Sequence, residues 1–239
     1  MHCTDRTSNQ RLRLRAKQLV LAAGTMNTLR LLLCSAAAPD GLAPMPALGR
    51  RFGANGDLMA LWHHRAARVS SFDSTPSQGA FTVAGHPAAE FGLGGFPGVD
   101  TLLPAFLRRR MEQMFLIYGM GVDSGRCSVT LDQGRLQLDY RPLEEPIFNE
   151  VRSAFQVLAA ETGTRVWALK TPLSVHPWGG AGVGADAQHG VVDHRGEIFG
   201  NPGLFIADGS ALPAAPGGPP SVAIAAWAHH VAHNISQAH

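Results

Sequence analysis

The sequence predicts a mixed α/β (α+β) fold, with half of a dinucleotide-type unit near its start and an antiparallel sheet with helices in its middle. Three observations predict it. A continuous apolar run, Gln18 to Ala23, ends at Gly24 and precedes a helical pattern, which is typical of half a dinucleotide-binding unit. The middle of the chain carries a hairpin signal at Asp132-Gln133-Gly134. An Ala-rich apolar segment, Ser221 to Ile235, then indicates a long final helix.

Composition excludes several classes of protein. The 239 residues are 45% hydrophobic and 16% charged, which suits a globular fold, and a net charge of +2 is too small to argue for nucleic-acid binding. The three cysteines lie far apart, which is compatible with a reducing compartment. The N-terminus has no apolar core of signal-peptide length, and the apolar stretch from Leu19 to Ala38 is interrupted by polar residues. We therefore expect a cytoplasmic protein without a membrane span.

The first quarter of the chain predicts two strands, a helix and a turn. Arg11 to Arg15 alternates polar and apolar residues, the period of a half-buried strand. Gln18 to Ala23 fits a buried strand of a parallel sheet. Thr25 to Ala37 carries leucines on one broad face and predicts a helix. Gly49 to Asp57 is a connection, because Asn55-Gly56 is a turn signal.

The middle of the chain predicts an antiparallel sheet with helices. Its elements, in order, are a strand at Leu58–Val69, loops and short strands at Ser70–Gly98, a helix at Pro104–Gln113, a strand at Phe115–Val122, hairpin strands at Ser128–Leu131 and Arg135–Tyr140 joined by a three-residue turn, a helix at Glu144–Thr162 and a strand at Val166–Leu169. The helix is the clearest of them, since Pro146 lies near its start and Gly163 follows its end.

The last quarter, His176 to Ile235, concentrates residues that could carry chemistry. A lone His176 precedes Pro177 and two glycines, and a short apolar strand, Leu204 to Ile206, leads to Asp208-Gly209. Pro219-Pro220 then opens the final helix, whose first N–H groups have no intrahelical partner and present the positive end of the helix dipole. We expect a base, an Asp-Gly turn and a helix N-terminus to converge on one cofactor edge.

This stretch resembles the C-terminal signature of the glucose–methanol–choline (GMC) flavoprotein oxidoreductases, and within them the cholesterol-oxidase-like branch. The matching residues are His176-Pro177 with Gly179-Gly180, Gly190-Val191-Val192-Asp193, Phe199-Gly200, Leu204, Ala207-Asp208-Gly209-Ser210, Leu212-Pro213 and Pro220. Their spacing over sixty residues makes the match specific, which no single short motif would be. The connection at Gly49–Asp57 also resembles the GxNGD segment of this family.

The resemblance implies FAD as cofactor and the oxidation of a small-molecule alcohol, such as a sterol or another bulky apolar alcohol, by hydride transfer to flavin N5. It implies a partial FAD-binding domain at 1–57 and 177–239, with a substrate-binding domain at 58–176 between the two pieces. It makes His176 the catalytic residue that takes the hydroxyl proton, a task that suits imidazole at neutral pH. The cofactor-binding residues that it implies are Gly24, Asn55, Gly56, Asp208, Gly209, Pro219, Pro220 and Ser221.

Two departures from the family pattern support an alternative. The family's G-x-G-x-x-G fingerprint is absent, since Gly180 to Ala185 has no strand before it and is better interpreted as a glycine-rich turn. Pro219 stands where the family has Asn or His as a second catalytic residue, and proline offers no side-chain hydrogen bond. The alternative is a catalytically silent fragment or subunit, which binds an apolar ligand or pairs with a separate N-terminal half.

Metal and hydrolase chemistry find little support in the sequence. His229 and His233 share a helix face at i, i+4 spacing, but no third ligand accompanies them, so favourable placement near a helix C-terminus is the preferred interpretation and no metal is expected. No G-x-S-x-G occurs, so an α/β-hydrolase would lack its nucleophile.

Overall fold

The computed structural model describes residues 2–63, 70–73, 75 and 77–237. These residues form four α-helices and thirteen strands. The helices are α1 (Thr25–Ala36), α2 (Ala105–Met111), α3 (Pro146–Thr162) and α4 (Ser221–Gln237). The strands are β1 (His2–Thr4), β2 (Arg11–Arg13), β3 (Leu19–Leu21), β4 (Phe52–Gly53), β5 (Leu58–His63), β6 (Gly79–Phe81), β7 (Ala89–Gly94), β8 (Met114–Gly121), β9 (Val129–Asp132), β10 (Arg135–Leu138), β11 (Arg165–Ala168), β12 (Trp178–Gly179) and β13 (Leu204–Ile206).

The largest sheet is antiparallel and has the strand order β11-β5-β8-β7-β6. Helix α3 packs against β7, β8 and β11 on one face of this sheet. Pro146 begins the helix, and Gly163 ends it with a φ of 60°, which an L-residue tolerates poorly. The apolar stripe of α3 is buried against the sheet, and Val151 is fully inaccessible to solvent. This sheet-and-helix layer forms one of two hydrophobic cores.

The other core lies between α1 and the C-terminal segment. Strand β3 pairs in parallel with β13, with Leu19 opposite Leu204, and Leu29 and Leu32 of α1 are buried beside them. The hairpin of β9 and β10 contributes Val129 to this core. The parallel pairing places the carboxyl ends of β3 and β13 together, so the residues that follow each strand meet at one edge.

The predicted fold class is confirmed: the chain is a mixed α/β structure with an antiparallel sheet and four helices among its described residues. Every helix predicted from the sequence is present within two residues of its predicted bounds at each end. The division into domains at 57/58 and 176/177 stays a prediction. Cys127 and Val129, which lie in the predicted substrate-binding range, belong to the core of the other part.

Three predictions of detail were wrong or extend beyond the described residues. The strand at Gln18–Ala23 is shorter than predicted and only half buried, since Val20 is 43% exposed. The hairpin turn has two residues, because Asp132 pairs with Arg135 and the positive φ of Gln133 and Gly134 closes the turn. The strand predicted at Leu58–Val69 ends at His63 in β5, and residues 64–69 lie outside the described part of the chain.

None of the helices in the described part of the chain is long and apolar enough to cross a membrane.

Candidate active site

His176 is held in place by the residues just before it. The Ser174 hydroxyl lies 2.8 Å from the Ala54 carbonyl oxygen and 2.9 Å from Oδ2 of Asp57, and it accepts a hydrogen bond from the His176 N–H at 2.9 Å. The Val175 N–H also donates to Oδ2 of Asp57, at 3.2 Å. Asp57 precedes β5 and is only 2% exposed. The loop that carries His176 is therefore anchored on a buried carboxylate.

The imidazole itself contacts the same carboxylate. Nδ1 of His176 lies 2.8 Å from Oδ2 of Asp57, and the histidine side chain is 24% exposed. The separation is that of a hydrogen bond, but Nδ1 of His176 and Oδ1 of Asp57 both lack a partner in aligned hydrogen-bond geometry. The two groups therefore lie at ion-pair distance, but the imidazole and the carboxylate are not aligned for a hydrogen bond.

The residues after His176 are fixed by α1 and by a short strand pair. Thr25, in the first turn of α1, donates its hydroxyl hydrogen to the Pro177 carbonyl at 2.7 Å. Trp178 and Gly179 then form β12, which pairs with β4. The indole of Trp178 is buried and donates to Oδ1 of Asp123 at 2.9 Å. Both sides of His176 are thus tied to distant parts of the chain.

Asp208 joins the turn after β13 to the start of α1. Its Oδ2 accepts from the Gly24 N–H at 3.0 Å and from the Thr28 hydroxyl at 2.5 Å. Its Oδ1 accepts from the N–H and the hydroxyl of Ser210, at 3.0 Å and 2.6 Å. A carboxylate near a helix N-terminus is also favoured by the helix dipole. Both oxygens of the Asp208 carboxylate are therefore hydrogen-bonded within the protein. A ligand at this turn would contact its backbone and not the carboxylate.

A cavity of about 500 Å³, here called the helix-end cavity, lies where these elements meet. The first turn of α1, the turn after β13, the start of α4 and the His176 loop all border it. Its lining includes Gly24, His176, Asp208, Gly209 and Pro220. The same four elements also contribute Thr25, Met26, Asn27, Pro177 and Ile224 to the lining. The remaining lining residues are Ala22, Ala23, Val175 and Ala207.

The start of α4 presents unpaired amide hydrogens. The first hydrogen bond of α4 runs from the Ile224 N–H to the Pro220 carbonyl at 2.9 Å. Within the described residues the N–H groups of Ser221, Val222 and Ala223 have no acceptor. The first turn of α4 has no acidic residue. The positive end of its dipole is therefore left without a counter-charge from its own helix.

His176 also borders a second cavity of about 300 Å³, here called the apolar cavity. Its lining is mostly apolar and comes from the large sheet and the adjoining loops: Met59, Leu116, Val175 and Pro219, with polar groups from Asp57, Ser77, Tyr118 and His176. The Tyr118 hydroxyl lies 2.9 Å from the Ser77 hydroxyl. His176 is thus shared by two cavities of different chemistry.

Asn55 holds the loop before α4, and neither Asn55 nor Gly56 lines either cavity. The Asn55 side chain accepts from the Gly217 N–H at 2.9 Å and donates to the Gly218 carbonyl at 3.0 Å. Both Asn55 and Gly56 have positive φ, as expected for the turn. Their assignment as direct cofactor contacts stays a prediction, and what the structure shows is that Asn55 holds the segment that leads to Pro219.

The structure brings most of the predicted site residues together. Gly24, His176, Asp208, Gly209 and Pro220 line the helix-end cavity, Pro219 lines the apolar cavity, and Ser221 is the first residue of α4. Sequence reasoning missed Asp57, Thr25, Thr28 and Ser174. Asp57 belongs to the segment that was predicted as a turn because of Asn55-Gly56. Its role at the site becomes visible only in its contact with His176, which lies 119 residues later in the chain.

A buried polar cluster beneath the site joins the two cores. Asp123 accepts from the Ala54 N–H at 2.6 Å and from the Trp178 indole, and the Tyr140 hydroxyl approaches it at 3.4 Å. Burial raises the pKa of Asp123 above its ordinary value, and the nearby charge of Glu145 acts in the same direction. Burial together with the Asp123 charge also raises the pKa of Tyr140, so its hydroxyl stays protonated as a donor.

Within the described residues no group of three or more His, Cys, Asp or Glu side chains could hold a metal ion. In the C-terminal histidine run, Nε2 of His230 lies 2.7 Å from the His194 carbonyl oxygen.

Comparison with known proteins gives one family match. Residues 126–228 match the C-terminal family model described as GMC oxidoreductase. A cholesterol oxidase of Mycobacterium tuberculosis is 39% identical over 89 residues, which are 36% of this chain and 15% of that protein. A long-chain-alcohol oxidase of Arabidopsis thaliana is 36% identical over 73 residues, 30% of this chain and 10% of that protein. The resemblance noticed in the sequence is confirmed.

The fold has a counterpart among solved structures. The crystal structure of pyridoxine 4-oxidase from Mesorbium loti superposes on this chain with a TM-score of 0.67 at 24% sequence identity. It covers 100% of this chain, and the chain covers 54% of that protein. The likeness shows a common fold, and this chain spans about half of that protein and a smaller share of the two oxidases.

Proposed function

We propose, from the C-terminal GMC oxidoreductase domain that residues 126–228 carry, that this chain takes part in the FAD-dependent oxidation of an apolar alcohol. The single observation that carries the proposal is the position of His176, which borders both the helix-end cavity and the apolar cavity. A flat cofactor in the first cavity and an alcohol in the second would meet beside one imidazole.

The helix-end cavity fits a flavin edge. Its volume of about 500 Å³ is within the range of roughly 300–1,000 Å³ of small-molecule sites. A Cβ at Gly24 would meet no protein atom within 4 Å, so this glycine leaves the backbone open to a ligand. A Cβ at Gly209 would lie 2.8 Å from Oγ1 of Thr25, so that glycine is required by packing within the protein. The unpaired N–H groups at the start of α4 suit an electron-rich ring edge. These residues would hold the cofactor.

The residues of this chain account for the proton. An alcohol in the apolar cavity loses its hydroxyl proton to the imidazole of His176, while its carbon loses a hydride, so a carbonyl product forms and the charges balance. No side chain here can accept the hydride. A bound flavin would supply that chemistry. Met59, Leu116 and Val175 give this cavity apolar walls, which favour an apolar substrate body.

The relatives support the substrate class, since both are named as oxidases of apolar alcohols, cholesterol in one case and long-chain alcohols in the other. We propose an alcohol with a bulky apolar body, a sterol or a long-chain alcohol, for this chain.

Flavin binding and turnover test the proposal. FAD is titrated into the purified protein while flavin fluorescence and visible absorbance are followed, and carbonyl product is then measured with sterol and long-chain alcohol substrates. We expect saturable binding and turnover, with His176→Gln losing roughly 10²–10⁴-fold in kcat while it still binds FAD. His189→Gln, in an exposed loop outside both cavities, is the matched control. Turnover unaffected by His176→Gln would contradict the role of the imidazole.

A second candidate is a catalytically silent unit that holds FAD only with a separate N-terminal half. Three observations favour it. Pro219 offers no side-chain hydrogen bond, and β3–β13 is a two-stranded sheet in the described part of the chain. Val20 of β3 is also 43% exposed. A protein that remains colourless and binds no FAD, yet gains FAD binding when a dinucleotide-binding segment of the same family is added, would favour this candidate.

A further inference from the structure

The strongest unassigned feature of the site is the buried carboxylate behind His176. Asp57 is 2% exposed, and its Oδ2 lies 2.8 Å from Nδ1 of the imidazole. The same oxygen receives the Val175 N–H and lies 2.9 Å from the Ser174 hydroxyl. This oxygen is therefore held by the loop that carries the histidine, so the carboxylate and the imidazole keep a fixed relation.

We propose that Asp57 is a positioning residue for His176: its carboxylate holds the imidazole in the Nδ1–H tautomer. This inference rests on the proposed function, in which His176 takes a hydroxyl proton. A carboxylate accepts hydrogen bonds and cannot donate one when ionised, so the nitrogen that faces it carries the hydrogen. Nε2, at the other end of the ring, is then unprotonated and can accept the proton of the alcohol.

The orphaned atoms of the site support this pairing. Nδ1 of His176 is buried without an aligned hydrogen-bond partner although it lies 2.8 Å from Oδ2 of Asp57, and Oδ1 of the same carboxylate is also buried without a partner. Buried polar groups in proteins are almost always hydrogen-bonded, so a small rotation of the imidazole that aligns Nδ1–H with the carboxylate satisfies the pair. Such hydrogen bonds are often poorly aligned before substrate and cofactor are bound.

The departure at Pro219 makes this role more important. Pro219 borders the apolar cavity together with His176 and Asp57, and its side chain neither donates nor accepts a hydrogen bond. Among the side chains at positions 57, 176 and 219 of this cavity, Asp57 is therefore the one that can orient the imidazole by a hydrogen bond.

Nitrogen NMR measures the tautomer directly and needs no turnover. The protein is labelled with ¹⁵N-histidine, and the signal of His176 among the 11 histidines is identified by its loss in His176→Gln. At high pH, where neutral imidazole predominates, we expect Nδ1 to show the shift of a protonated nitrogen and Nε2 that of an unprotonated one. Asp57→Ala should abolish this preference. Ser174→Ala, which removes a loop anchor and leaves the carboxylate, should keep it.

A wild-type spectrum with the hydrogen on Nε2 would overturn the proposal, and so would an unchanged tautomer in Asp57→Ala or an equal change in Ser174→Ala. The wild-type spectrum decides by itself if Asp57→Ala does not fold. In the FAD-loaded protein, Asp57→Ala should lower kcat by about 10²–10⁴-fold with a smaller effect on KM. Absence of FAD binding would refute the proposed function and leave the tautomer result standing, so the two failures are distinguishable.

Discussion

The Thr28 hydroxyl donates a 2.5 Å hydrogen bond to Oδ2 of Asp208, a residue 180 positions later in the chain. One turn earlier in the same helix, the Thr25 hydroxyl donates to a neutral acceptor, the Pro177 carbonyl, at 2.7 Å. Helix α1 thus fixes both the turn after β13 and the loop after His176, and the two threonines differ chiefly in the charge of the group that they bind.

This difference predicts unequal costs for two matched substitutions. Thr28→Val keeps the shape of the side chain but leaves a buried carboxylate short of one donor, so we expect the free energy of unfolding to fall by about 1–3 kcal/mol. Thr25→Val removes a hydrogen bond to a neutral carbonyl and should cost about 0.5–1.5 kcal/mol. Urea unfolding at neutral pH measures both. Equal costs, or a larger cost for Thr25→Val, would contradict the charged role of Asp208.

The glycine after Trp178 should be intolerant of any side chain. Gly179 has a φ of +77°, and a Cβ there would lie 2.1 Å from the Arg51 carbonyl oxygen, so Gly179→Ala must separate β12 from β4. Gly134 has the same φ of +77° with nothing near its Cβ position. Gly134→Ala should therefore cost only the backbone strain of about 1–2 kcal/mol.

The steric term in Gly179→Ala should add about 1–3 kcal/mol to that strain. Thermal or urea unfolding of the two variants isolates it, because the two glycines have the same φ. Similar stabilities for Gly179→Ala and Gly134→Ala would show that the β4–β12 pairing does not constrain the His176 loop.

Local patterns predicted the long elements and failed where the structure depends on distant partners. Helix α3 could be predicted because Pro146, an apolar stripe and Gly163 are all local signals. Strands β4 and β12 have two residues each, and no two-residue segment carries a period. The apolar run around Val20 predicts a buried strand, yet Val20 is 43% exposed. Burial depends on which elements cover β3, and a local pattern contains no information about them.

The site divides in the same way. His176 and Asp208-Gly209 stand in a recognisable sequence signature, so their importance could be predicted. Asp57, Thr25 and Thr28 act through contacts that cross more than a hundred residues, and their neighbours in sequence give no sign of the partner. Asn55 was predicted as a cofactor contact, which stays a prediction, and the structure shows that its side chain binds the backbone before α4.

Asn55 predicts a test of how that loop is held. Asn55→Gly keeps the positive φ but leaves the Gly217 N–H and the Gly218 carbonyl without their partners, so unfolding should become easier by about 1–3 kcal/mol. Hydrogen exchange at the Ile224 amide, the first hydrogen bond of α4, should also accelerate. Asn9→Gly is the matched control, because Asn9 has a similar positive φ and is exposed. Equal effects in the two variants would show that the amide contacts contribute little.

Asp123 predicts how stability depends on pH. Burial raises the pKa of this carboxyl in the folded state above its ordinary value of 3.8, so the folded protein holds the proton at a pH where the unfolded chain has lost it. The contribution of Asp123 to stability therefore grows as pH falls from neutral toward 3.8 and is lost as pH rises through the folded-state pKa.

Asp123→Asn, which cannot titrate, isolates that contribution. The free energy of unfolding of the wild type minus that of Asp123→Asn should increase as pH is lowered from neutral, as measured by urea unfolding at a series of pH values. A difference that stays constant with pH would contradict the raised pKa of this group. A difference that decreases on acidification would show that the carboxyl is stabilised in its charged form instead.

Pro219 predicts a gain of activity. It borders the apolar cavity beside His176, and the resemblance described in the sequence analysis implies an asparagine at this position. Pro219→Asn would add an amide donor to the cavity in which the proposed function places the alcohol, while Pro220 remains to begin α4. A positioned polar group is typically worth about 10²–10⁴-fold in rate, and an introduced one lacks supporting contacts, so we expect kcat to rise by about 10-fold or more with FAD bound.

Pro219→Ala is the control that separates the amide from the loss of the proline ring. Both variants relax the backbone at position 219, but only asparagine brings a donor, so kcat should rise in Pro219→Asn alone. Steady-state oxidation of the same alcohol by the three FAD-loaded proteins provides the comparison. Equal gains in both variants would attribute the effect to loop flexibility, and no gain in either would mean that the Asp57–His176 pair already orients the reaction without a second group.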